Sequence, residues 1–226
     1  IFSRGALPQE QPRFKRADKE FTAIMQEVMS DPRVMSLAQH PDYADKLRSI
    51  QEQFDRSQRA LNDFLEQKRD RFPRFYFVSD EDLLEILGQS RNPLVIQQHL
   101  KKLFMGINAV TFNETKTGIT HMISSEGEVV QLKSVVAITS NEVEDWLIAL
   151  DDVMRTTLRH LLAKCLAAMS GGAEMRVTEA TIDEFPSQIL QVASQILFTR
   201  QAEDAVTKYT LPLLRTNLIR TLDVLT

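Results

Sequence analysis

Apolar residues recur at helical spacing through most of residues 8–72, and charged residues fill the positions between them. A first run predicts a helix interrupted around Asp31-Pro32, with a face formed by Phe14, Phe21, Ile24, Met25 and Val28. After His40-Pro41-Asp42, a second run reaches Phe72 with a narrow seam formed by Leu47, Ile50, Phe54, Leu61 and Leu65. Its three- and four-residue steps predict one helix of about 30 residues. Because Ser57 and Gln58 dilute the seam, a packed antiparallel helix pair is favoured over a coiled coil, by about three to one.

Residues 71–104 carry start and stop signals for two short helices. Pro73 ends the preceding helix, and the aromatic run 75–77 predicts an extended segment that buries its rings. Ser79 before the acidic run 80–82, and Asn92 before Pro93, each predict a helix start. The core positions of the two helices are Leu83, Leu84, Leu87, Ile96, Leu100, Leu103 and Phe104, and the stops are Gly88 and Gly106. A solvated helix start is favoured over paired catalytic carboxylates for the acidic run, by about nine to one.

The period of the pattern changes to that of strands in the middle of the chain. The runs 109–112, 119–123 and 128–132 are rich in β-branched residues, and turn residues fill 113–118 and 125–127. They predict a small antiparallel meander at about 108–133, packed on one face against helices. His121 falls on its second strand without a Cys or His at ligand spacing, so a metal role is disfavoured.

Helical spacing returns after Ser140, which is a candidate N-cap. One predicted face consists of Val143, Trp146, Leu150, Val153, Thr157, Leu161 and Cys165. Trp146 is interpreted as a buried anchor and Cys165 as a small core residue rather than a nucleophile, by about ten to one. Ser170-Gly171-Gly172 predicts a loop, and Phe185-Pro186-Ser187 opens another helix with core positions Ile189, Leu190, Val192, Ile196 and Leu197. A final amphipathic segment carries Leu211, Leu214, Leu218, Leu222 and Leu225.

These patterns predict a mainly α fold, a packed helical rod or bundle with a small antiparallel β-meander inserted. We divide it into a helical part, 1–72, and a mixed block, 73–226. The 226 residues carry a net charge of −4, which disfavours a general nucleic-acid or anionic-membrane binder. A basic cluster of Lys68, Arg69, Arg71 and Arg74 could contact RNA, but a solvated helix end is favoured about fivefold. No apolar run approaches the roughly 20 residues that span a bilayer. The chain begins with Ile1 rather than Met, which favours a fragment of a larger protein, with a tag-processed product as the alternative.

The sequence carries few residue patterns that are typical of catalysis or of cofactor binding. There is no Gly-x-x-x-x-Gly-Lys-Ser/Thr loop and no Gly-x-Ser-x-Gly elbow, and the single cysteine excludes an internal disulfide. The four histidines, His40, His99, His121 and His160, form no cluster in the sequence. We therefore predict no catalytic, cofactor-binding or metal-binding residues in this chain.

Several short sequence motifs, which we call the dynein phrases, resemble the linker region of dynein heavy chains. The segment Phe72–Phe77 followed by Asp82–Leu87 matches a Phe-Pro-Arg-Phe-Tyr-Phe phrase and an Asp-Leu-Leu-Glu-Ile-Leu phrase of that family. Further similar phrases are Ile1-Phe2-Ser3, Leu7-Pro8, the Phe14 to Met25 series, Gly127-Glu128 and Phe185–Leu190. The run Gln97–Phe104 with Gly106-Ile107-Asn108 is most like the intraflagellar-transport, or second cytoplasmic, dynein; axonemal heavy chains are the close competitor.

The resemblance implies a mechanical function. A dynein linker lies across a ring of AAA+ ATPase modules and bends as nucleotide changes, which produces the power stroke. It also implies ATP and Mg²⁺ in the ring of the parent chain but no cofactor in this fragment. The implied partners are that ring, microtubules, and dynein light and intermediate chains, without nucleic acid or membrane insertion. The implied location is the cytoplasm, the cytoskeleton and the cilium or flagellum.

Two hypotheses stay open at this point. In the lever hypothesis, Phe72-Pro73-Arg74 is a junction between stiff blocks, which a Pro73→Ala change in the full motor would test. In the alternative, the chain is a helical adaptor that docks partner proteins on the helix 42–72 and on the leucine stripe 211–225. A Walker motif downstream of Thr226 in the wider reading frame would favour the lever.

Overall fold

The computed structural model describes residues 7–89, 92–138, 142–170 and 179–225. Its helices are α1 (Glu10–Ser30), α2 (Val34–Ala38), α3 (Tyr43–Arg71), α4 (Asp80–Gly88), α5 (Pro93–Leu103), α6 (Val143–Ser170), α7 (Glu179–Glu184), α8 (Ser187–Thr207) and α9 (Leu211–Leu225). Its strands are β1 (Ala109–Phe112), β2 (Gly118–Ile123) and β3 (Val129–Ala137). The mainly α fold with an inserted meander is confirmed. In the described part of the chain, no helix is both long and apolar enough to cross a membrane.

The backbone divides into two compact units. Unit 1 contains residues 1–106 and 139–147, and unit 2 contains residues 107–138 and 148–226. The division falls within α6, between Leu147 and Ile148. The sequence-based division at residue 72 stays a prediction.

In unit 1, α1 and α3 form the predicted antiparallel helix pair. The Tyr43 hydroxyl at the start of α3 donates to Glu27 near the end of α1. The Ser57 hydroxyl, further along α3, lies 3.4 Å from the Glu10 carboxylate at the start of α1, so the helices run in opposite directions. The core of the pair contains Ala17, Ile24, Tyr43 and Ile50. Ser57, which dilutes the seam in the sequence, is itself buried beside that carboxylate.

The two short helices of unit 1 begin where the capping residues predict. The Ser79 side chain accepts a hydrogen bond from the Asp82 N–H, and the Asn92 side chain accepts one from the Leu94 N–H. Leu83 and Ile86 are the fully buried positions of α4, so its core face is centred on them and not on Leu84 and Leu87.

The prediction of an extended segment at residues 75–77 is wrong. Pro73–Phe77 is a short 3-10 helix with Pro73 in its first turn, where the fixed φ of proline suits helical geometry. Its period of three places Phe72 and Phe75 on one side, and both rings are buried while Tyr76 and Phe77 are exposed. An extended backbone would instead have placed Phe75 and Phe77 on the same face.

Unit 2 contains the predicted meander, with strand order β1-β2-β3 and both pairs antiparallel. Its third strand is longer than the predicted 128–132 and continues to Ala137. The register shifts between β2 residues Ile119 and His121, which pair with Val136 and Gln131, so β3 bulges between those two residues. Because of this bulge, the side chains before and after it do not follow one period of two residues. The alternation of apolar and polar residues therefore does not reveal the full length of β3 in the sequence.

Five residues of the stripe predicted for α6 are buried, namely Val143, Trp146, Leu150, Thr157 and Cys165, whereas Val153 and Leu161 are half-buried. Cys165, in unit 2, is a core residue as predicted. The main cluster of this unit contains Cys165, Met169, Phe185, Ile189, Ala193 and Leu197. The short helix α7 was not predicted. In α8 the alanines Ala193 and Ala205 are fully buried, whereas Val192 and Ile196 are only half-buried.

Some predictions fall on residues that are not described. They are the opening phrase at residues 1–3, the Ser140 cap, the loop after Ser170 and the side chains of Leu222 and Leu225.

Candidate functional site

The end of α3 is joined to the rest of unit 1 by three aromatic rings. Phe72, the residue after α3, packs edge to face on Phe75 with ring centroids 5.0 Å apart, and its centroid lies 6.3 Å from that of Phe104. All three rings are buried. The Arg74 guanidinium lies 4.8 Å from the Phe104 ring centroid and donates to the Leu103 carbonyl at 3.0 Å. We call these four residues, with the ion pairs described next, the junction.

Five charged residues form the second part of the junction. The Lys68 ammonium of α3 bonds the Glu144 carboxylate at 2.5 Å and also pairs with Glu142. The Arg71 guanidinium bonds Asp145 at 2.5 Å and lies 3.7 Å from Glu144. We call Lys68, Arg71, Glu142, Glu144 and Asp145 the charge lock. It holds the basic last turn of α3 against the acidic start of α6, a pairing that suits both helix dipoles.

Burial makes the charge lock more than a surface feature. Glu144 is fully buried, and the Lys68 side chain is only 15% exposed. Burial alone would lower the pKa of Lys68. The hydrogen bonds and charges of Glu142 and Glu144 together raise this pKa by more than burial lowers it, so the net shift is upward. The hydrogen bond from Lys68 lowers the pKa of Glu142. Lys68 and Glu142 are therefore both charged at neutral pH.

Arg69 ties α3 to α4. Its guanidinium bonds Glu66 at 2.9 Å and Asp80, in the first turn of α4, at 2.5 Å. It also lies 5.7 Å from the ring centroid of Tyr76, whose hydroxyl donates to Glu66. The interpretation of the basic cluster as a solvated helix end is therefore wrong for Lys68, Arg69 and Arg74, which are half-buried and bonded to carboxylates or to a ring and a carbonyl. Arg71 is ion-paired as well, but its side chain stays 48% exposed.

A buried histidine lies between α4 and α5. The Nδ1 and Nε2 atoms of His99 lie 3.6 Å and 3.4 Å from the carboxylates of Asp82 and Glu85, and the ring is buried. Lys102 bonds Asp82 at 2.6 Å and lowers the pKa of that carboxyl. Sequence spacing could not reveal this group, since it forms only when α4 packs on α5. The two carboxylates face opposite ring nitrogens, so they do not converge on one point, and in the described residues no set of three or more His, Cys, Asp or Glu could hold a metal ion.

The other singled-out residues have structural surroundings. The Cys165 thiol lies 3.6 Å from the Met169 sulfur, and burial raises the pKa of the thiol, which disfavours a nucleophilic thiolate. His40 stacks on Tyr43, and His121 Nδ1 lies 2.9 Å from the Thr120 hydroxyl. Trp146 is a buried anchor as predicted. The strongest functional candidate is therefore the junction, where rings and ion pairs hold the end of α3 against the neighbouring elements of unit 1.

Comparison with known proteins identifies the family. The sequence profile described as dynein heavy chain, N-terminal region 2, matches residues 1–165. The chain belongs to the dynein heavy chain family. It is 51% identical to cytoplasmic dynein 2 heavy chain 1 of Rattus norvegicus over 93% of this chain, and 48% identical to that of Homo sapiens over 99%. A cytoplasmic dynein heavy chain of Fusarium vanettenii is 35% identical over 89%. The resemblance to the second cytoplasmic dynein is confirmed, and the chain spans about 5% of the length of these relatives.

The dynein phrases coincide with the junction and its neighbours. The Phe72–Phe77 phrase supplies two of the three rings and the 3-10 helix, and Asp82–Leu87 lies within α4. The Gln97–Phe104 phrase supplies most of α5 and the third ring. The carboxylates that complete the charge lock, Glu142, Glu144 and Asp145, were not singled out as partners of α3. No local signal in the sequence pairs them with Lys68 and Arg71.

Proposed function

We propose that this chain is a piece of the linker of a dynein motor and works as part of a lever that bends over an AAA+ ring. The observation that carries the proposal is the junction. A helix of 29 residues, α3, ends in three buried rings that pack it against the 3-10 helix and the end of α5. A charge lock binds the same end to the start of α6. A lever needs this kind of end, because force along a helix is transmitted only if its last turn cannot move freely against the next element.

The proposal extends to the parent motor. ATP and Mg²⁺ would be bound in the ring elsewhere in the heavy chain, and this sequence contains no Walker-type phosphate loop of its own. The partners would be the ring, microtubules, and dynein light and intermediate chains. High identity to cytoplasmic dynein 2 heavy chains supports minus-end-directed retrograde intraflagellar transport, with the motor in the cytoplasm and the cilium.

The alternative role as an adaptor draws less support. It would use helix 42–72 and the leucine stripe 211–225 as docking surfaces, but on the first of these the cations at the end of α3 are occupied by Glu142, Glu144, Asp145 and Asp80. A docking surface would have to leave such groups accessible.

A gliding assay with the full-length motor tests the lever. We expect Lys68→Met to slow microtubule gliding, since it removes the central cation of the charge lock and leaves the buried Glu144 with only the Arg71 guanidinium at 3.7 Å. Lys19→Met is the matched control, because Lys19 is an exposed lysine on α1 and the same charge is lost. Unchanged gliding velocity in Lys68→Met, with the motor folded and hydrolysing ATP, would contradict the proposal.

A further inference from the structure

Within unit 2, an open groove of about 440 Å³ lies between β3 and α6. Residues Val129–Lys133 form one wall, and Thr157, His160, Leu161 and Lys164 form the other. Glu184 and Pro186 lie at one end. The volume falls within the range of about 300–1,000 Å³ that is typical of ligand pockets. We call this groove the β3–α6 slot.

Two tertiary hydrogen bonds frame the slot. At one end the Lys133 N–H donates to the Thr157 hydroxyl at 3.0 Å. At the other end the Ser187 N–H donates to the Glu128 carboxylate at 3.0 Å. The stretch of β3 between these bonds, residues 129–132, is about 13 Å long at about 3.3 Å per residue. The slot is therefore long enough for a short extended segment.

The β3 wall is the outer edge of the sheet. Strand order β1-β2-β3 leaves this edge without a neighbouring strand in the part of the chain that the structure describes. Val129 and Val135 on β3 are 61% and 58% exposed. A long edge strand with exposed apolar side chains is a template for pairing with another extended segment.

The charges of the slot point to an acidic occupant. Neither Lys133 nor Lys164 has an ion-pair partner among the described residues, whereas Lys68 and Lys102 are paired with carboxylates. His160 adds a third donor on the α6 wall, and Glu184 is the one carboxylate among the lining residues. A segment with carboxylates would pair with these cations, and its apolar side chains would cover Val129, Leu161 and Pro186.

We propose that the β3–α6 slot binds a short, extended peptide segment with alternating acidic and apolar side chains, which adds to the outer edge of β3. In an extended segment successive side chains point to opposite faces, so alternation places all carboxylates on one side. A protein segment fits better than nucleic acid, because Glu184 and the apolar lining disfavour a phosphate backbone. This binding role is independent of the lever function.

Fluorescence anisotropy of a labelled Val-Glu-Val-Glu-Val-Glu peptide with the 226-residue chain tests the proposal. We expect saturable binding that weakens with salt. The double variant Lys133→Glu/Lys164→Glu should bind about tenfold more weakly. The control Lys19→Glu/Lys101→Glu makes the same charge change at exposed lysines of unit 1 and should bind as the original chain does. Equal affinity of the two double variants would overturn the proposal.

Peptide variants test the same proposal without altering the protein. A peptide with proline in place of its central valine lacks a backbone N–H and should bind more weakly if the segment adds to β3. Equal binding of that peptide would overturn strand addition. Equal binding of a Val-Lys alternating peptide would overturn recognition of carboxylates. Tighter binding of a labelled oligothymidine at the same lysines would replace the peptide with nucleic acid as the occupant.

Discussion

The carboxylate of Glu128 accepts hydrogen bonds from both the backbone N–H and the hydroxyl of Ser187, 59 residues further along the chain. Ser187 is the first residue of α8, and the first N–H groups of a helix have no partner within it. Glu128 therefore caps α8 from the β2–β3 turn. The two dynein phrases Gly127-Glu128 and Phe185–Leu190, distant in sequence, meet at this bond.

Replacing Glu128 with alanine should destabilise the chain. The change leaves the first N–H of α8 without its acceptor and removes a negative charge from the helix N-terminus, which together cost about 1–2 kcal/mol. Urea unfolding followed by circular dichroism measures the loss. Glu114→Ala is the matched control, because Glu114 is exposed in the β1–β2 turn, and it should change the free energy of unfolding by less than about 0.5 kcal/mol. Equal losses in the two variants would show that Glu128 does not cap α8.

The backbone conformation at position 127, next to the capping residue Glu128, requires glycine. Gly127 has a φ of +89°, a backbone angle that residues with a side chain rarely adopt. We expect Gly127→Ala to lower the free energy of unfolding by about 1 kcal/mol, although no atom lies within 4 Å of the added methyl group. Gly106→Ala has equally open surroundings and no positive φ, so it should be neutral or slightly stabilising in the same urea titration. A neutral Gly127→Ala would contradict the conformational explanation.

The features predicted correctly from the sequence depend on neighbours in the chain. Ser79 and Asn92 cap helices through side-chain bonds to residues two or three positions away, so the sequence contains both partners. The long helix, the meander and the stripe of α6 follow from periodicity in the same way. The dynein phrases indicate the protein family, but they do not predict which residues contact each other.

The features that were missed depend on tertiary contacts. Lys68 and Glu144 are 76 residues apart, and nothing local distinguishes this pair from two solvated charges. Aromatic residues favour strands when packing is ignored, so the sequence predicts an extended segment where the structure has the 3-10 helix Pro73–Phe77. In the structure Phe75 is buried against Phe72, a tertiary contact that strand propensity does not take into account.

The different burial of Phe75 and Phe77 distinguishes the 3-10 helix from an extended segment. Phe75 is fully buried and Phe77 is 67% exposed. Phe75→Ala should therefore cost about 3–5 kcal/mol in the free energy of unfolding, through lost burial and a cavity beside Phe72. Phe77→Ala is the matched control and should cost less than about 1 kcal/mol. Urea titration of both variants gives the comparison, and similar large losses would support an extended segment in which both rings face the core.

Removal of the central cation tests the charge lock itself. Lys68→Met keeps the unbranched stem of the side chain but leaves Glu144 buried without its ammonium partner, which should cost about 3 kcal/mol. Lys19→Met, on the exposed face of α1, should be nearly neutral in the same urea titration. If both variants unfold at the same urea concentration, the lock makes no net contribution to stability.

The contribution of the lock should depend on pH in a defined direction. The pKa of Glu142 lies below its ordinary value of 4.5 because Lys68 donates to it, so its contribution is full above that value and is lost as the pH falls through the folded-state pKa. The pKa of Lys68 lies above its ordinary value of 10.5, so its contribution is full below that value and is lost only as the pH rises through the folded-state pKa. The stability difference between the original chain and Lys68→Met should therefore be constant from about pH 6 to 9 and shrink toward about pH 3. Urea titrations across this range measure the difference, and the corresponding difference for Lys19→Met should stay near zero. A Lys68→Met difference that persists unchanged at acid pH would mean that packing of the lysine stem, rather than its charge pairing, stabilises the end of α3.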